Sequence, residues 1–258
     1  MNYAIILSGG IGTRMRTDGF PKQYLQVEGK TILQYTLETL AECSIIDVIV
    51  IVMAEEWKKK IGKNIVESVG KKILFALPGS SRQESIFHGL QACVANKEID
   101  VNDKVIIQDA VRPLASKQLI LRCLNEIEKY DGCMPAIPVV DTIYVSNDGK
   151  NIDGLLNRDT LFAGQAPEAF NLKKYYDINK NYTSEDFINI KGTTEIAYKH
   201  NLKVCIINGE EKNFKITTPT DLLKFETMKR KSKYNIEDRK STRLNSSHDR
   251  QSRMPSSA

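Results

Sequence analysis

Tyr3-Ala4-Ile5-Ile6-Leu7-Ser8-Gly9-Gly10-Ile11-Gly12-Thr13-Arg14 is the stretch that decides the fold. Tyr3–Leu7 is apolar for a few residues only, with no basic region before it and no long apolar run. It therefore reads as a first β-strand rather than a secretion signal. The strand runs straight into glycines at 9, 10 and 12. Glycines there let the backbone approach phosphate oxygens and aim N–H groups at them, and Arg14 and Lys22 add positive charge. A dinucleotide-binding fingerprint would need glycine at 15, which is Met15; a Walker A loop ending Gly29-Lys30-Thr31 would need glycine at 24, which is Tyr24. A merely structural turn would not need three glycines followed by Arg and Lys. Ser8, Gly9, Gly10, Gly12 and Thr13 are thus assigned to a nucleotide phosphate, and Arg14 and Lys22 to its charge.

Outward from this loop, strand-like and helical runs alternate. Thr31–Glu42 has apolar residues at helical spacing, Val48–Val52 is a continuous β-branched run of the kind covered on both faces, and Trp57, Ile61, Ile65 and Val69 fall at four-residue steps. Strands at Ile73–Leu77 and Val105–Ile107 and helices at Ser85–Ala95 and Gln118–Ile127 continue the rhythm. This βαβα order predicts an α/β fold: a doubly wound, mostly parallel, Rossmann-like sheet. The rhythm breaks at Val139–Ser146, Asn147-Asp148-Gly149 and Ile152–Leu156, which read as a β-hairpin, either an arm reaching to a partner subunit or a surface excursion. A helix near Thr193–His200, a strand at Lys203–Ile207 and a last helix, with Thr218 as N-cap and Pro219 at its first position, complete the pattern.

Bulk properties bound the function classes. The 258 residues suit one large α/β domain or two small ones, with 41% hydrophobic and 27% charged residues. The net charge of +5 is misplaced for a nucleic-acid surface: from Lys229 onward nine Lys/Arg face three Asp/Glu, so residues 1–228 carry about −1. Residues 233–258 are poor in large apolar side chains and resemble translated adapter sequence, so the domain is expected over 1–232, with an arm at about 138–166 and a disordered, non-native tail. No apolar run is long enough for a membrane span. Cys43, Cys93, Cys123, Cys133 and Cys205 are scattered and read as free thiols of a cytoplasmic protein, and with three histidines at no ligand spacing a zinc site is not expected.

Three further segments carry chemistry. Pro78-Gly79-Ser80-Ser81-Arg82-Gln83-Glu84-Ser85 opens a helix at the carboxyl edge of the sheet, where ligands bind. Gly79, Ser80, Arg82 and Ser85 are candidates for holding a base, while an N-cap at Ser80 or Ser81 explains the serines equally well. Gln108-Asp109-Ala110-Val111-Arg112-Pro113 follows the fourth strand; Asp109 is a candidate Mg²⁺ ligand and nucleotide contact, or the partner of Arg112 in a surface ion pair. Lys215, between Phe214 and Ile216, needs a carboxylate or a substrate phosphate. Asp141, Thr142 and Arg158 are weaker candidates for substrate binding, with Arg112 and Lys215.

The ordered set Gly9-Gly10-Ile11-Gly12-Thr13-Arg14-Met15, Pro21-Lys22-Gln23, Pro78-Gly79…Arg82…Ser85, Asp109-Ala110-Val111-Arg112-Pro113, Asp141-Thr142, Arg158…Ala166-Pro167 and Lys215-Ile216-Thr217-Thr218-Pro219 resembles the cytidylyltransferases acting on 2-C-methyl-D-erythritol 4-phosphate or ribitol 5-phosphate. The resemblance implies CTP and a polyol phosphate giving a CDP-polyol and pyrophosphate, with Mg²⁺, in a homodimer joined by the arm. It feeds isoprenoid synthesis or cell-surface polymers such as teichoic acid or capsule. It also implies that Arg14 and Lys22 stabilise the α-phosphate, that Gly79, Ser80 and Ser85 hold cytidine, that Asp109 holds the metal with Arg112 in support, and that Thr142, Arg158 and Lys215 position the acceptor, the first two across the dimer. Three positions depart from the family pattern. Gln165-Ala166-Pro167-Glu168 stands for Gln-Thr-Pro-Gln, Gly192-Thr193-Thr194-Glu195 for the Thr-Asp-Glu-Ala region, and Ser80 for an acidic residue. A sugar-1-phosphate nucleotidyltransferase and a non-catalytic nucleotide sensor are the rival readings.

Overall fold

The computed structural model describes residues 1–10, 15 and 20–231. The calls on Gly12, Thr13, Arg14 and the tail 233–258 lie outside the described residues. In chain order the elements are β1 (Asn2–Leu7), β2 (Gln26–Val27), β3 (Lys30–Thr31), α1 (Ile32–Ala41), β4 (Val48–Val52), α2 (Glu55–Ser68), β5 (Lys72–Ala76), α3 (Arg82–Asn96), β6 (Lys104–Asp109), α4 (Lys117–Glu126) and β7 (Gly132–Pro138). Then follow β8 (Tyr144–Val145), β9 (Gly154–Leu155), β10 (Phe162–Gly164), β11 (Glu168–Asn171), α5 (Leu172–Asn179), α6 (Ser184–Ile188), α7 (Thr193–Lys199), β12 (Val204–Asn208) and α8 at 219–231.

Eight strands form one sheet whose spine runs β7-β11-β6-β1-β4-β5. β6, β1, β4 and β5 are mutually parallel. β11 is antiparallel to β6 and β7, and β12 runs parallel along the other edge of β7. The expected mostly parallel sheet is what forms. Its two faces follow from period-two alternation. Ala4 and Ile6 of β1 join Ile49, Ile51 and Ile106 under α1, α2 and α4. Tyr3 and Ile5 join Val48, Val50, Val52, Val105 and Ile107 under α3, α5 and α7. Every residue of β4 is buried, as a β-branched run covered on both sides requires.

Side-chain caps start the helices where the sequence places them. Thr31 and Gln34 form a capping box at α1, Ser81 caps α3, Ser116 caps α4, and Thr218 pairs reciprocally with Asp221 at α8.

Three expectations need correction. Asp109 ends β6 rather than following the strand. The hairpin is shorter than its apolar runs suggest: only Tyr144↔Leu155 and Val145↔Gly154 pair. A two-stranded ribbon with no face to bury is marginal in water, and the turn is held by side chains instead. Asp148 accepts from the Lys150 and Asn151 amides, Asp153 accepts from the Asn147 amide, and Gly149 supplies a φ of 71°. Finally, β7, a buried strand, had no strand signature, because Gly132, Pro135 and Pro138 interrupt it.

Candidate active site

In this sheet the chain leaves β1, builds β4 and β5 on one side, and returns to lay β6 on the other. The carboxyl ends of β1 and β6 flank that switch point, where doubly wound sheets bind ligands. A cavity of about 460 Å³ opens there, lined by Gly9, Gly10, Lys22, Gln23, Gly79, Ser80, Ser81, Arg82, Ser85, Asp109 and Lys215, with Leu7 and Val111. Five stretches of the sequence, which the motifs singled out, meet at this one place.

The glycine loop is fixed from below. Gln23 donates from Nε2 to the Ser8 and Gly10 carbonyls at 2.7 and 2.9 Å. The Ser8 hydroxyl points to Tyr24 Oη, 3.2 Å away, and its amide donates to Val52 O. Ser8 is therefore a structural residue and does not line the cavity. A Cβ on Gly9 would stand 2.4 Å from Pro78 Cβ, so the glycine lets the two loops close on each other, whereas Gly10 faces open space. Lys22 is buried in the 3₁₀ turn Lys22–Tyr24 and reaches the cavity wall. Gln23, in the quoted Pro-Lys-Gln run, has no role in the sequence reading.

The second loop is clasped by Glu84. Its Oε2 accepts from the Ser80 amide at 2.5 Å and the Ser80 hydroxyl at 2.6 Å, and its Oε1 from Ser184 Oγ at 2.5 Å. These bonds, Ser184 first, hold its carboxyl down to about 2. Gly79 is glycine because Glu84 occupies the space of a side chain: a Cβ would lie 2.4 Å from Glu84 Cγ. Ser85 Oγ donates to Ser81 O and accepts from the Gly79 amide, so it shapes the loop as well as lining the cavity. Of the two possible N-caps, Ser81 is the one used.

Three cations converge on Asp109. Lys215 Nζ is 2.9 Å from Oδ2, Arg82 Nη2 is 3.1 Å from Oδ1, and Arg112 Nε is 3.5 Å from Oδ2. Burial would raise the Asp109 pKa, but Arg82, Lys215 and Arg112 outweigh it and hold the carboxyl well below the usual range. The Asp109–Arg112 pair exists, but it is buried rather than a surface bridge. Arg112 also donates to Asn213 O at 2.6 Å and does not line the cavity, so its place is behind the carboxylate and not against a substrate. Lys215 has a carboxylate partner in Asp109 and lines the cavity.

Behind Arg82 lies a group the sequence flagged only as a departure. Glu168, at the start of β11, is buried, and its Oε2 accepts no hydrogen bond. Burial pushes its carboxyl up to about 7, against the pull of Arg82 and a hydrogen bond from Thr193. Thr193 also accepts from Arg82 Nη1 at 2.5 Å, so the region without a clean match supplies a hydroxyl beside the site. Ala166 is buried away from the cavity, its carbonyl accepting from Asn213 Nδ2 at 2.7 Å.

Asp141, Thr142 and Arg158 are not brought to this cavity. Thr142 and Arg158 line a separate depression on the arm with Leu155, Leu156, Asn157 and Asp159, Arg158 donates to Val140 O, and Asp141 is exposed. Among the described residues no cluster of three His, Cys, Asp or Glu side chains could hold a metal. Asp109 is the single carboxylate on the cavity wall among the described residues. One carboxylate fits Mg²⁺, which leaves its other positions to water and substrate phosphates.

Residues 2–231 match the family described as IspD, 2-C-methyl-D-erythritol 4-phosphate cytidylyltransferase. The chain belongs to this family. It is 31% identical over 229 residues to the ribitol-5-phosphate cytidylyltransferase of Vibrio parahaemolyticus, covering 88% of this chain and 95% of that one. It is 35% identical over 224 residues to the 2-C-methyl-D-erythritol 4-phosphate cytidylyltransferase of Clostridium botulinum, covering 86% and 96%. The crystal structure of 4-diphosphocytidyl-2C-methyl-D-erythritol synthase from Anaerococcus prevotii superposes with a TM-score of 0.74 at 28% identity, covering 89% and 96%. The shared fold thus accounts for the mostly parallel sheet and its flanking helices.

Proposed function

We propose that this chain transfers CMP from CTP to a polyol phosphate, releasing pyrophosphate, and that ribitol 5-phosphate is the acceptor. The observation that carries this reading is the cavity at the switch point, where Arg82 and Lys215 pair with Asp109 and Lys22 lines the same wall, between two glycine-containing loops. Such a site suits a polyanion and holds no nucleophile–base pair. The acceptor phosphate is already anionic, so the chemistry needs position and charge rather than deprotonation. One acceptor oxygen bonds to the α-phosphorus of CTP, and the bond from that phosphorus to the bridging oxygen of the β-phosphate breaks. The electron pair leaves with pyrophosphate. Lys22 and Arg14 stabilise charge on the α-phosphate, Lys215 orients the acceptor, and the loop 78–85 holds cytidine. Mg²⁺ held by Asp109 supplies further charge neutralisation on the phosphates.

The domain is proposed to span 1–232, as a homodimer through the arm at about 138–166. Val140, Tyr144, Leu155 and Phe162 are exposed on that arm, an apolar surface that contact with a second copy would bury. That contact is also what would carry Thr142 and Arg158 to a cavity they do not reach in their own protomer.

The Clostridium relative favours a second acceptor, 2-C-methyl-D-erythritol 4-phosphate. Pyrophosphate release from CTP with each polyol phosphate decides between them. Release with ribitol 5-phosphate alone supports the first reading, and release with the other alone overturns it in favour of the second. UTP or dTTP preference in a thermal-shift series would instead point to a sugar-1-phosphate nucleotidyltransferase. CTP binding without release on any acceptor would point to a sensor.

A further inference from the structure

Two carboxylates, not one, face the N-terminus of α3. Glu168 pairs with Ile107 across the β11–β6 ladder, and Ile107 packs under Ile86 and Leu90 of α3. Asp109 is two residues further along β6 and shares that face. Glu168 and Asp109 are therefore diagonal neighbours on the sheet, with Cα atoms about 7–8 Å apart in such a pair. Arg82, the first residue of α3, enters this space. It donates to Asp109 through Nε and Nη2 and to Thr193 through Nη1. Glu168 spends no hydrogen bond through Oε2, which is buried. Beyond a hydrogen bond from Thr193, the residue that Arg82 also bonds, it offers charge, and the cations that feel it, outside ion-pair distance, are Arg82 and Arg112. The other groups facing it are Asp109 from β6, Thr193 from α7 and Tyr175 from α5.

We propose that Glu168 is a positioning residue for nucleotidyl transfer: its carboxylate is the second, buried counter-charge that keeps Arg82 in place on the cavity wall. With Asp109 as the only counter-ion, three cations would share one carboxylate, and any ligand phosphate that drew Asp109's partners away would leave Arg82 held by Thr193 alone. Glu168 gives Arg82 an anion that the ligand does not contact. This rests on the cytidylyltransferase reading, and its test includes a measurement that does not.

The test compares the full chain with Glu168→Gln and Glu168→Asp at about pH 8, above the Glu168 range. The first readout is hydrogen exchange at the Arg82 Nε–H, seen in ¹⁵N-arginine spectra and assigned with Arg82→Lys. The second is steady-state pyrophosphate release from CTP. The expected result is a folded Glu168→Gln protein whose Arg82 Nε–H exchanges ~10-fold faster or more, a typical effect of losing a charged partner. Its kcat falls by ~10-fold or more while the KM for CTP stays within about threefold. Glu168→Asp, which keeps the charge, falls between it and the parent. Unchanged exchange in Glu168→Gln overturns the proposal, as does a uniform loss that tracks unfolding or a Glu168→Asp protein worse than Glu168→Gln. Should the parent release no pyrophosphate, the transfer reading fails by itself and the Arg82 exchange rate alone decides.

Discussion

Lys22 illustrates how a single residue carries the charge argument. It is a lysine buried at the cavity wall beside two glycines, where an incoming phosphate would find a cation already desolvated. Removing one such fixed charge typically costs about 3–4 kcal/mol of transition-state stabilisation. Lys22→Ala is therefore expected to lower kcat by ~100-fold or more with the far-ultraviolet spectrum unchanged, and Arg14→Ala to do the same. Near-normal turnover in either would remove that residue from the mechanism. Glu168 makes the opposite point, since its burial opposes folding. Its folded pKa of about 7 lies above the ordinary glutamate value of 4.5. The folded protein thus binds more protons than the unfolded chain between those values, and stability falls as pH rises through that window. Replacing it with glutamine removes the penalty. Glu168→Gln is expected to be more stable than the parent at about pH 8, by about 3 kcal/mol, and to lose that advantage near pH 4. Equal melting temperatures at both pH values would show that the carboxyl is not destabilised in the fold.

At the scale of elements, the two loops that form the cavity mouth depend on close approach. Gly9→Ala sets a methyl group against Pro78 Cβ at 2.4 Å, backed by the strand-end backbone, so one loop must move. The expected outcome is a folded protein with CTP affinity lowered by ~10-fold or more, measured by calorimetry, of the order overpacking costs elsewhere. The same scale shows what could be read from the chain beforehand. β1, β4, β5, β6 and the helices between them announce themselves because each is regular and buried by one rule, alternation or a four-residue step. β7 does not, since Pro135 and Gly132 are tolerated only by virtue of the neighbours they receive from β11 and β12. The cavity residues were legible for a related reason: Gly9, Lys22, Gly79, Arg82 and Asp109 sit at or just beyond the ends of regular elements, while Lys215 stands out as a lysine between apolar neighbours. Glu168, Gln23 and Thr193 make their contacts with partners from elsewhere in the chain, so the sequence could flag their segments without showing what those side chains touch. Ser8 and Arg112 stand outside the cavity lining, and position after a strand does not tell which way a side chain turns.

The whole molecule divides into a body that holds the nucleotide cavity and an arm that holds Thr142 and Arg158 away from it. Replacing Tyr144 and Leu155 together with aspartate is expected to convert a dimer to a monomer in light scattering and to raise the acceptor KM or abolish turnover, while CTP binding persists. A monomeric double variant with full activity would show that one protomer suffices. Deleting 233–258 is expected to leave melting temperature and turnover within experimental error, as suits a segment too poor in apolar residues to join a core.

The cavity wall is assembled from segments at 9–10, 22–23, 79–85, 109–111 and 215, so its parts leave the ribosome in a fixed order. The glycine loop comes first and Lys215 last, after every strand of the sheet has been made. A nascent chain that has folded β1 to β6 already presents Asp109 with Arg82 and Arg112, but without the lysine. An interrupted or truncated translation product of this protein would therefore carry half a nucleotide site.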